Sequence, residues 1–179
     1  KPFYVPELAC GGFTAAGEKL EDKAAAEAIQ TDCDGKPAVV RKVERQKKTV
    51  QPPRLYDLTT LQRECNRLYG FTAQQTLDYL QSLYEKKLAT YPRTDSQYLT
   101  DEMGESTETL IQMLFGKMPY AEGLEYQPDV SKVLNSKKVS DHHAIIPTME
   151  VAKADIGELK ERSRKILYLI SARVLTATA

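Results

Sequence analysis

Thr59-Thr60-Leu61-Gln62-Arg63-Glu64-Cys65-Asn66-Arg67-Leu68-Tyr69-Gly70-Phe71-Thr72-Ala73-Gln74-Gln75-Thr76-Leu77, running on to Leu88, is the stretch that decides the fold. It holds two capping-box patterns, Thr59-x-x-Gln62 and Thr72-x-x-Gln75. In each, a Thr hydroxyl can accept from the third helical N–H while the Gln side chain reaches back to the cap. Each box opens an apolar stripe at helical spacing: Leu61, Cys65 and Leu68 first, then Ala73, Leu77, Leu80, Tyr84 and Leu88. Gly70 stands between them as a stop. The pattern predicts two short helices, which fits a helix-turn-helix and equally an αα-hairpin inside a larger helical domain.

Upstream, Pro52-Pro53 punctuates the chain and sets a boundary near residue 51. Residues 1 to 50 read as β with one helix. Phe3-Tyr4-Val5 and Gly12-Phe13-Thr14 are short strand candidates, and Ala38 to Val50 alternates with β-branched residues at Val39, Val43 and Thr49. Between them, Asp22 to Gln30 is an Ala-rich helix and Asp34-Gly35 a turn. These strands are too few for a sheet stable by itself. Downstream, Asp101 to Phe115 is predicted helical, with acidic residues in its first turn where the helix dipole favours them. Asp155 to Ala179 is predicted as one long amphipathic helix with Ile156, Leu159, Ile166, Leu169, Ile170 and Val174 on its buried side. Residues 116 to 153 look loopier. The fold class expected is therefore mainly α with a smaller β-rich part, divided into 1–50 and 51–179.

Composition constrains function only loosely. With 41% apolar and 28% charged residues the chain should fold, and its 25 basic residues cancel its 25 acidic ones. Any polyanion must then be held by local clusters of charge rather than by the net field. Cys10, Cys33 and Cys65 are odd in number and far apart, which argues against a disulfide framework and for a reducing, cytoplasmic setting. No stretch approaches the roughly 20 apolar residues of a membrane span. Neither end carries a start or stop signal, so both read as cuts inside a longer protein.

Chemistry concentrates in Leu88-Ala89-Thr90-Tyr91-Pro92-Arg93-Thr94-Asp95-Ser96. Pro92 disfavours the α region for Tyr91 and blocks helix propagation, so Tyr91 and Arg93 are expected on a stiff connector. A guanidinium two residues from a presented phenol is a phosphate clamp beside a nucleophile. The same spacing also suits a packing tyrosine, one of ten in the chain, followed by turn-forming Asp95 and Ser96.

Four strings separate these readings. Leu55-Tyr56-Asp57-Leu58-Thr59-Thr60-Leu61-Gln62, Gln81-x-Leu83-Tyr84-Glu85, Thr90-Tyr91-Pro92-Arg93-Thr94-Asp95-Ser96 and Asp141-His142-His143-Ala144-Ile145-Ile146-Pro147-Thr148 occur in that order. Together they resemble the type IA DNA topoisomerases, and among those the bacterial topoisomerase III subgroup. The resemblance covers the chain but is weakest over residues 1–50 and 101–135. It implies that Tyr91 is the nucleophile, that Arg93 places and polarises the scissile phosphate, and that His142 contacts DNA near the cleavage point. It puts Gln81, Glu85, Thr90 and Asp95 on the same site or its DNA path. It further implies an ATP-independent isomerase that cleaves single-stranded DNA through a 5′-phosphotyrosine link and acts in the cytoplasm at the nucleoid.

The same resemblance implies what these residues do not contain. The family's Mg²⁺ belongs to an acidic Toprim domain with no counterpart here, since no strand carries the Asp-x-Asp that would hold it. No metal ligands are expected in this chain, because His142 and His143 lack the further convergent ligands a zinc site needs. Residues 51–179 resemble the helical, CAP-like domain, and 1–50 part of the β-rich hinge that arches over the enzyme's hole (the toroid). The remaining domains of the same polypeptide are then the expected partners, with no membrane involved, and the isolated piece should be inactive. Two rivals fit less well. A helix-turn-helix module without chemistry would need a basic recognition face, and Lys86-Lys87 is the only cluster on those helices. A tyrosine recombinase would need several Arg and His residues scattered around its tyrosine.

Overall fold

Gly11, at φ 53°, lets the chain reverse between β1 (Glu7–Cys10) and β2 (Phe13–Ala16), a conformation an L side chain adopts at a cost. In this computed structural model, which describes residues 1–123, 125 and 127–179, the hairpin belongs to a first unit, Lys1–Lys48. The strands pair antiparallel from Glu7 with Ala16 to Cys10 with Phe13, and a single bridge joins Tyr4 to Leu20. Helix α1 (Lys23–Cys33) starts at Asp22, whose side chain accepts from the Ala24 N–H at 3.0 Å. The sheet is smaller than the sequence pattern suggested. Phe3-Tyr4-Val5 contributes only the Tyr4 bridge, and Ala38 to Val50 forms no strand despite its alternation. A strand needs a neighbour to take its N–H and C=O groups. None of the described residues pairs with that stretch, and Val39, Val40 and Val43 are exposed.

The second unit, Thr49–Ala179, holds the helical core. Helix α2 (Leu58–Tyr69) is capped by Asp57 and not by Thr59: the Asp57 carboxylate accepts from the Thr60 N–H at 2.6 Å. A carboxylate at the positive end of the helix outcompetes a hydroxyl. Gln62, freed from a capping box, donates to the Ala73 carbonyl instead. Gly70 ends α2 in the left-handed region at φ 68°, as expected of a helix-stop glycine. The second box forms as the spacing predicts: Thr72 accepts from the Gln75 N–H and Gln75 accepts from the Thr72 N–H, opening α3 (Ala73–Glu85).

The buried faces are rotated from the expected stripes. Leu61 and Cys65 are buried but Leu68 is 44% exposed, and α3 turns Thr76, Leu80 and Leu83 inward while Tyr84 looks outward. Helix α4 (Gly104–Lys117) follows a 3₁₀ turn at Asp101–Met103. The long helix expected from Asp155 starts later, as α5 (Glu161–Ala177). Asp155 accepts from the Gly157 N–H at 2.8 Å and closes a separate 3₁₀ turn, after which Leu159 and Lys160 are extended. α3 packs on α2 and α5, and α4 on α5, around Leu61, Leu80, Leu83, Ile111, Leu114, Ile166, Leu167 and Ile170. Each such side chain contributes about 1.5–3 kcal/mol by leaving water. No helix among the described residues is long and apolar enough to cross a membrane.

Arg173 of α5 ties this core to the segment before α2. Its guanidinium lies 4.0 Å from the Tyr56 ring centroid, donates to the Tyr56 hydroxyl at 2.8 Å and to the Arg54 carbonyl at 3.1 Å, and pairs with the Glu64 carboxylate. Burial pushes the Tyr56 phenol well above its usual range, with Glu64 adding to the shift and Arg173 opposing it. Burial likewise pushes the Cys65 thiol up to about 11. Both groups hold their protons more tightly folded than unfolded, so they support the fold below about pH 9 and that support is lost as pH rises through the folded values. Unfolding free energy measured by urea titration should therefore fall between about pH 9 and 11, by roughly 2 kcal/mol from Cys65 alone. Cys65→Ala should flatten that part of the profile, and an unchanged slope would show that Cys65 does not set it.

Candidate active site

Helix α3 ends in a backbone conformation that glycine usually takes. Lys87 sits at φ 60°, its N–H bonded to the Tyr84 carbonyl and the Leu88 N–H to the Leu83 carbonyl. This Schellman turn redirects the chain into an extended run, Leu88-Ala89-Thr90-Tyr91. The run is held at both edges of one opposing segment: the Thr148 N–H donates to the Leu88 carbonyl at 3.1 Å and the Thr90 N–H to the Ile146 carbonyl at 3.0 Å. The Thr90 hydroxyl adds two more links, accepting from the Ile146 N–H at 3.0 Å and donating to the Ala144 carbonyl at 3.2 Å. Thr148 reinforces the corner through its own hydroxyl, which donates to the Lys87 carbonyl.

Beyond Tyr91 the chain is clasped again. Pro92 is buried and Arg93 exposed, and Thr94, only 7% exposed, donates its hydroxyl to the His142 carbonyl at 2.8 Å. The same oxygen accepts from the Ser96 N–H, and the Thr94 carbonyl accepts from the Leu58 N–H at the start of α2. Ser96 donates to the Lys138 carbonyl at 3.0 Å and accepts from the Tyr98 N–H. Asp95 accepts from the Ser140 hydroxyl at 3.2 Å. Residues 90 to 96 are thereby anchored on both sides of Tyr91 to residues 138 to 148.

Tyr91 itself lies between two rings. The His142 imidazole is 4.2 Å away, centroid to centroid, and Tyr84 meets it edge-on at 5.6 Å. Arg93 makes no hydrogen bond or ion pair with any described residue, so its five donors remain open to an incoming anion. The neighbouring histidines differ: His143 turns its Nδ1 to the Ala144 carbonyl at 2.8 Å, while His142 presents its ring to Tyr91. No group of three or more His, Cys, Asp or Glu among the described residues could hold a metal ion. Gln81 and Glu85 bond to each other at 3.2 Å on the outward side of α3, and neither bonds to residues 90–96. An unpaired guanidinium two residues along the chain from a phenol packed between two rings is a group that can pair with an anion.

A family model described as DNA topoisomerase matches residues 9–179. The chain belongs to the type IA DNA topoisomerase family. It is 36% identical over 181 residues to a DNA topoisomerase 3 of Staphylococcus saprophyticus, covering 97% of this chain and 25% of that protein. A DNA topoisomerase 3 of Bacillus licheniformis is 43% identical over 147 residues, 79% of this chain and 20% of its own length. Among solved structures, full-length topoisomerase I from Thermotoga maritima superposes with a TM-score of 0.59 at 26% identity, over 96% of this chain and 28% of that one. The chain thus spans about a quarter of the length of the topoisomerases it matches.

Within this topoisomerase chain the residues that hold the site were less visible than those expected to act. Thr94 and Ser96 were read as part of a motif or as turn formers, and Tyr84 as a core position. Their signal lay in pairing: Thr94 is useful only once the chain returns at His142, 48 residues later. If the Thr94 hydroxyl sets the Tyr91–His142 spacing, Thr94→Val should lower unfolding free energy by about 1–2 kcal/mol by leaving the His142 carbonyl unsatisfied. It should also change the spacing of the Tyr91 and His142 rings, read as a shift in their ring-proton NMR signals. Thr94→Ser, which keeps the hydroxyl, should restore both. Equal behaviour of the Val and Ser variants in melting and in those signals would remove that role.

Proposed function

We propose that this chain is the part of a bacterial type IA DNA topoisomerase that carries its nucleophile, Tyr91. The observation that carries the reading is the clasp around Tyr91: a phenol fixed between the His142 and Tyr84 rings, next to an unpaired Arg93. Residues 51–179 act as the helical, CAP-like domain that lifts away to open the gate. Residues 1–50 act as part of the hinge, in the toroid that arches over the hole.

The reaction is a transesterification on single-stranded DNA. The Tyr91 oxygen forms a bond to phosphorus as the bond from phosphorus to the 3′-oxygen breaks. The phenolic proton is given up, and a proton is delivered to the departing 3′-oxygen. The products are a 5′-phosphotyrosine link and a free 3′-hydroxyl. After another strand has passed, that hydroxyl attacks the link and reverses every change. Because the ester is conserved in the covalent intermediate, no ATP is required. Phenols are mostly protonated at neutral pH, so the phosphate must be made more electrophilic. Arg93 does this by pairing with its non-bridging oxygens, and His142 contacts the strand beside the cleavage point. Thr90 fixes the strand bearing Tyr91, and Asp95, Gln81 and Glu85 line the DNA path. The Mg²⁺ that the family uses has no fitting group of ligands among the described residues, and no step here is routed through it. It belongs with the Toprim domain, elsewhere in the polypeptide, and the working protein is cytoplasmic and bound to the nucleoid.

Tyr91→Phe in the complete enzyme should abolish the denaturant-resistant protein–DNA adduct while leaving strand binding within about twofold, since only a hydroxyl is removed. An adduct formed by that variant would end the assignment. Arg93→Ala should slow single-turnover cleavage by about 10² if it stabilises charge developing on the phosphate. Unaltered kinetics would make Arg93 a surface residue. The 179-residue chain alone should form no adduct with labelled single-stranded DNA, with or without Mg²⁺, because it supplies only one side of the reaction. An adduct there would mean the chemistry is self-contained.

A further inference from the structure

Tyr98 carries a pair of cations that the site described above does not use. The Arg54 guanidinium lies 5.5 Å from its ring centroid and the Lys138 ammonium 4.8 Å, so the two charges are no more than about 10 Å apart. Lys138 Nζ is also 3.5 Å from the Tyr98 hydroxyl. Among the described residues neither cation is paired with a carboxylate. Asp101 accepts from the Ser136 N–H and Asp95 from the Ser140 hydroxyl, and neither forms an ion pair with Arg54 or Lys138. Lys137, beside Lys138, is exposed and unpaired as well. In a chain of zero net charge, two like charges drawn to one ring with no counter-ion leave a local positive field that an anion would neutralise.

The location suggests which anion. The Ala144 N–H donates to the Tyr98 carbonyl at 2.9 Å, and the Ala144 carbonyl accepts from the Thr90 hydroxyl. Tyr98 and Thr90 therefore flank a single residue of the same strand, which places the cation pair on the flank of the Tyr91 segment. Ser96 adds rigidity, linking the backbones of Lys138 and Tyr98 through its hydroxyl. Arg54 and Lys138 are both exposed, and the Lys138 ammonium also donates to the Tyr98 hydroxyl.

We propose that Arg54 and Lys138, seated on Tyr98, form a second phosphate-binding position that takes a backbone phosphodiester of the single strand, away from the phosphate being cleaved. The inference rests on the reading of Tyr91 as the nucleophile acting on single-stranded DNA. The position supplies affinity and direction to the strand rather than chemistry. A nearby free phosphate would be bound far more weakly, because a polynucleotide delivers its charge together with other contacts and releases condensed counter-ions.

The test is strand affinity against salt, in the complete enzyme, with a fluorescent single-stranded oligonucleotide. For Arg54→Gln/Lys138→Gln the slope of log affinity against log salt should lose about 0.7 in magnitude, the value for one lost phosphate contact, and each single variant a part of that. Adduct formation at saturating DNA should stay within twofold of the parent. Inorganic phosphate at the same ionic strength should not compete beyond its salt effect. A slope unchanged in both the double and the single variants would overturn the proposal. So would a normal slope with slower cleavage at saturation, which would make the pair a support for Tyr98. A Tyr91→Phe enzyme that keeps the salt slope but still forms an adduct would overturn the nucleophile reading and leave this position standing.

Discussion

The extended run Ala144-Ile145-Ile146-Pro147-Thr148 is the seam on which this structure depends. Its backbone groups are shared among three otherwise separate segments. The Ile145 N–H goes to the Tyr56 carbonyl, the Ala144 N–H to Tyr98, and Ile146 exchanges with Thr90. Residues 144 to 147 are buried, so each of these polar groups would cost about 1–3 kcal/mol if left unpaired. That asymmetry makes the seam specific. A one-residue slip would turn Ile145 and Ile146 to the wrong sides and break every link at once. Pro147, which has no N–H to lose, stands opposite Ala89 where no donor is required.

From the seam the constraint passes in two directions. Toward the core, Tyr56 is fixed by Arg173, whose guanidinium also meets Glu64, so a partly buried ion pair on α5 and α2 fixes the edge that receives Ile145. Such a pair adds less net stability than its short contacts suggest, since both charges were desolvated to form it. It does exclude alternatives, because any other seating would strand a charge. Toward the surface, the seam carries His142 at its upstream end and grips Thr90 at its middle, and Tyr91 is the residue left between. A tyrosine packed this way between the His142 and Tyr84 rings keeps little rotamer freedom.

How much of this the amino-acid order revealed depends on the range of each interaction. Gly70 and the Thr72–Gln75 box were legible because their partners lie within four residues. The extended backbone at Tyr91 was legible through Pro92, which disfavours the helical region for the residue before it. The cap of α2 was misplaced by two residues because Thr59 satisfies the same pattern as Asp57, and only the folded geometry ranks a carboxylate above a hydroxyl. The break before α5 was missed for a similar reason: Asp155 and Gly157 form a closed turn inside an apolar periodicity that continues through it. Alternation over Ala38 to Val50 promised a strand, yet strands are pairwise objects and no described partner supplies the other half. The anchoring role of Thr94 and the seat of Arg54 were not legible, since each depends on a distant residue, His142 for the first and Tyr98 for the second.

Charge follows the same logic. A net charge of zero discourages any expectation of a polyanion partner, and over the whole chain that inference is sound. Ion pairing, however, is uneven. Some cations on helices are matched at helical spacing, Lys165 with Glu161 and Arg67 with Glu64, and Arg173 is matched across the core, while Arg162 and Arg164 turn to the Tyr79 hydroxyl and the Gly157 carbonyl. Arg54 and Arg93 on extended segments, and Lys137 and Lys138 in the 3₁₀ turn Ser136–Lys138, have no acidic partner among the described residues. Extended segments cannot provide the i, i+4 neighbours that neutralise a helix face, so their cations remain open unless the fold brings an acid to them. For Arg54 and Lys138 it brings the Tyr98 ring instead, and those two positive groups are thereby held in place but not neutralised.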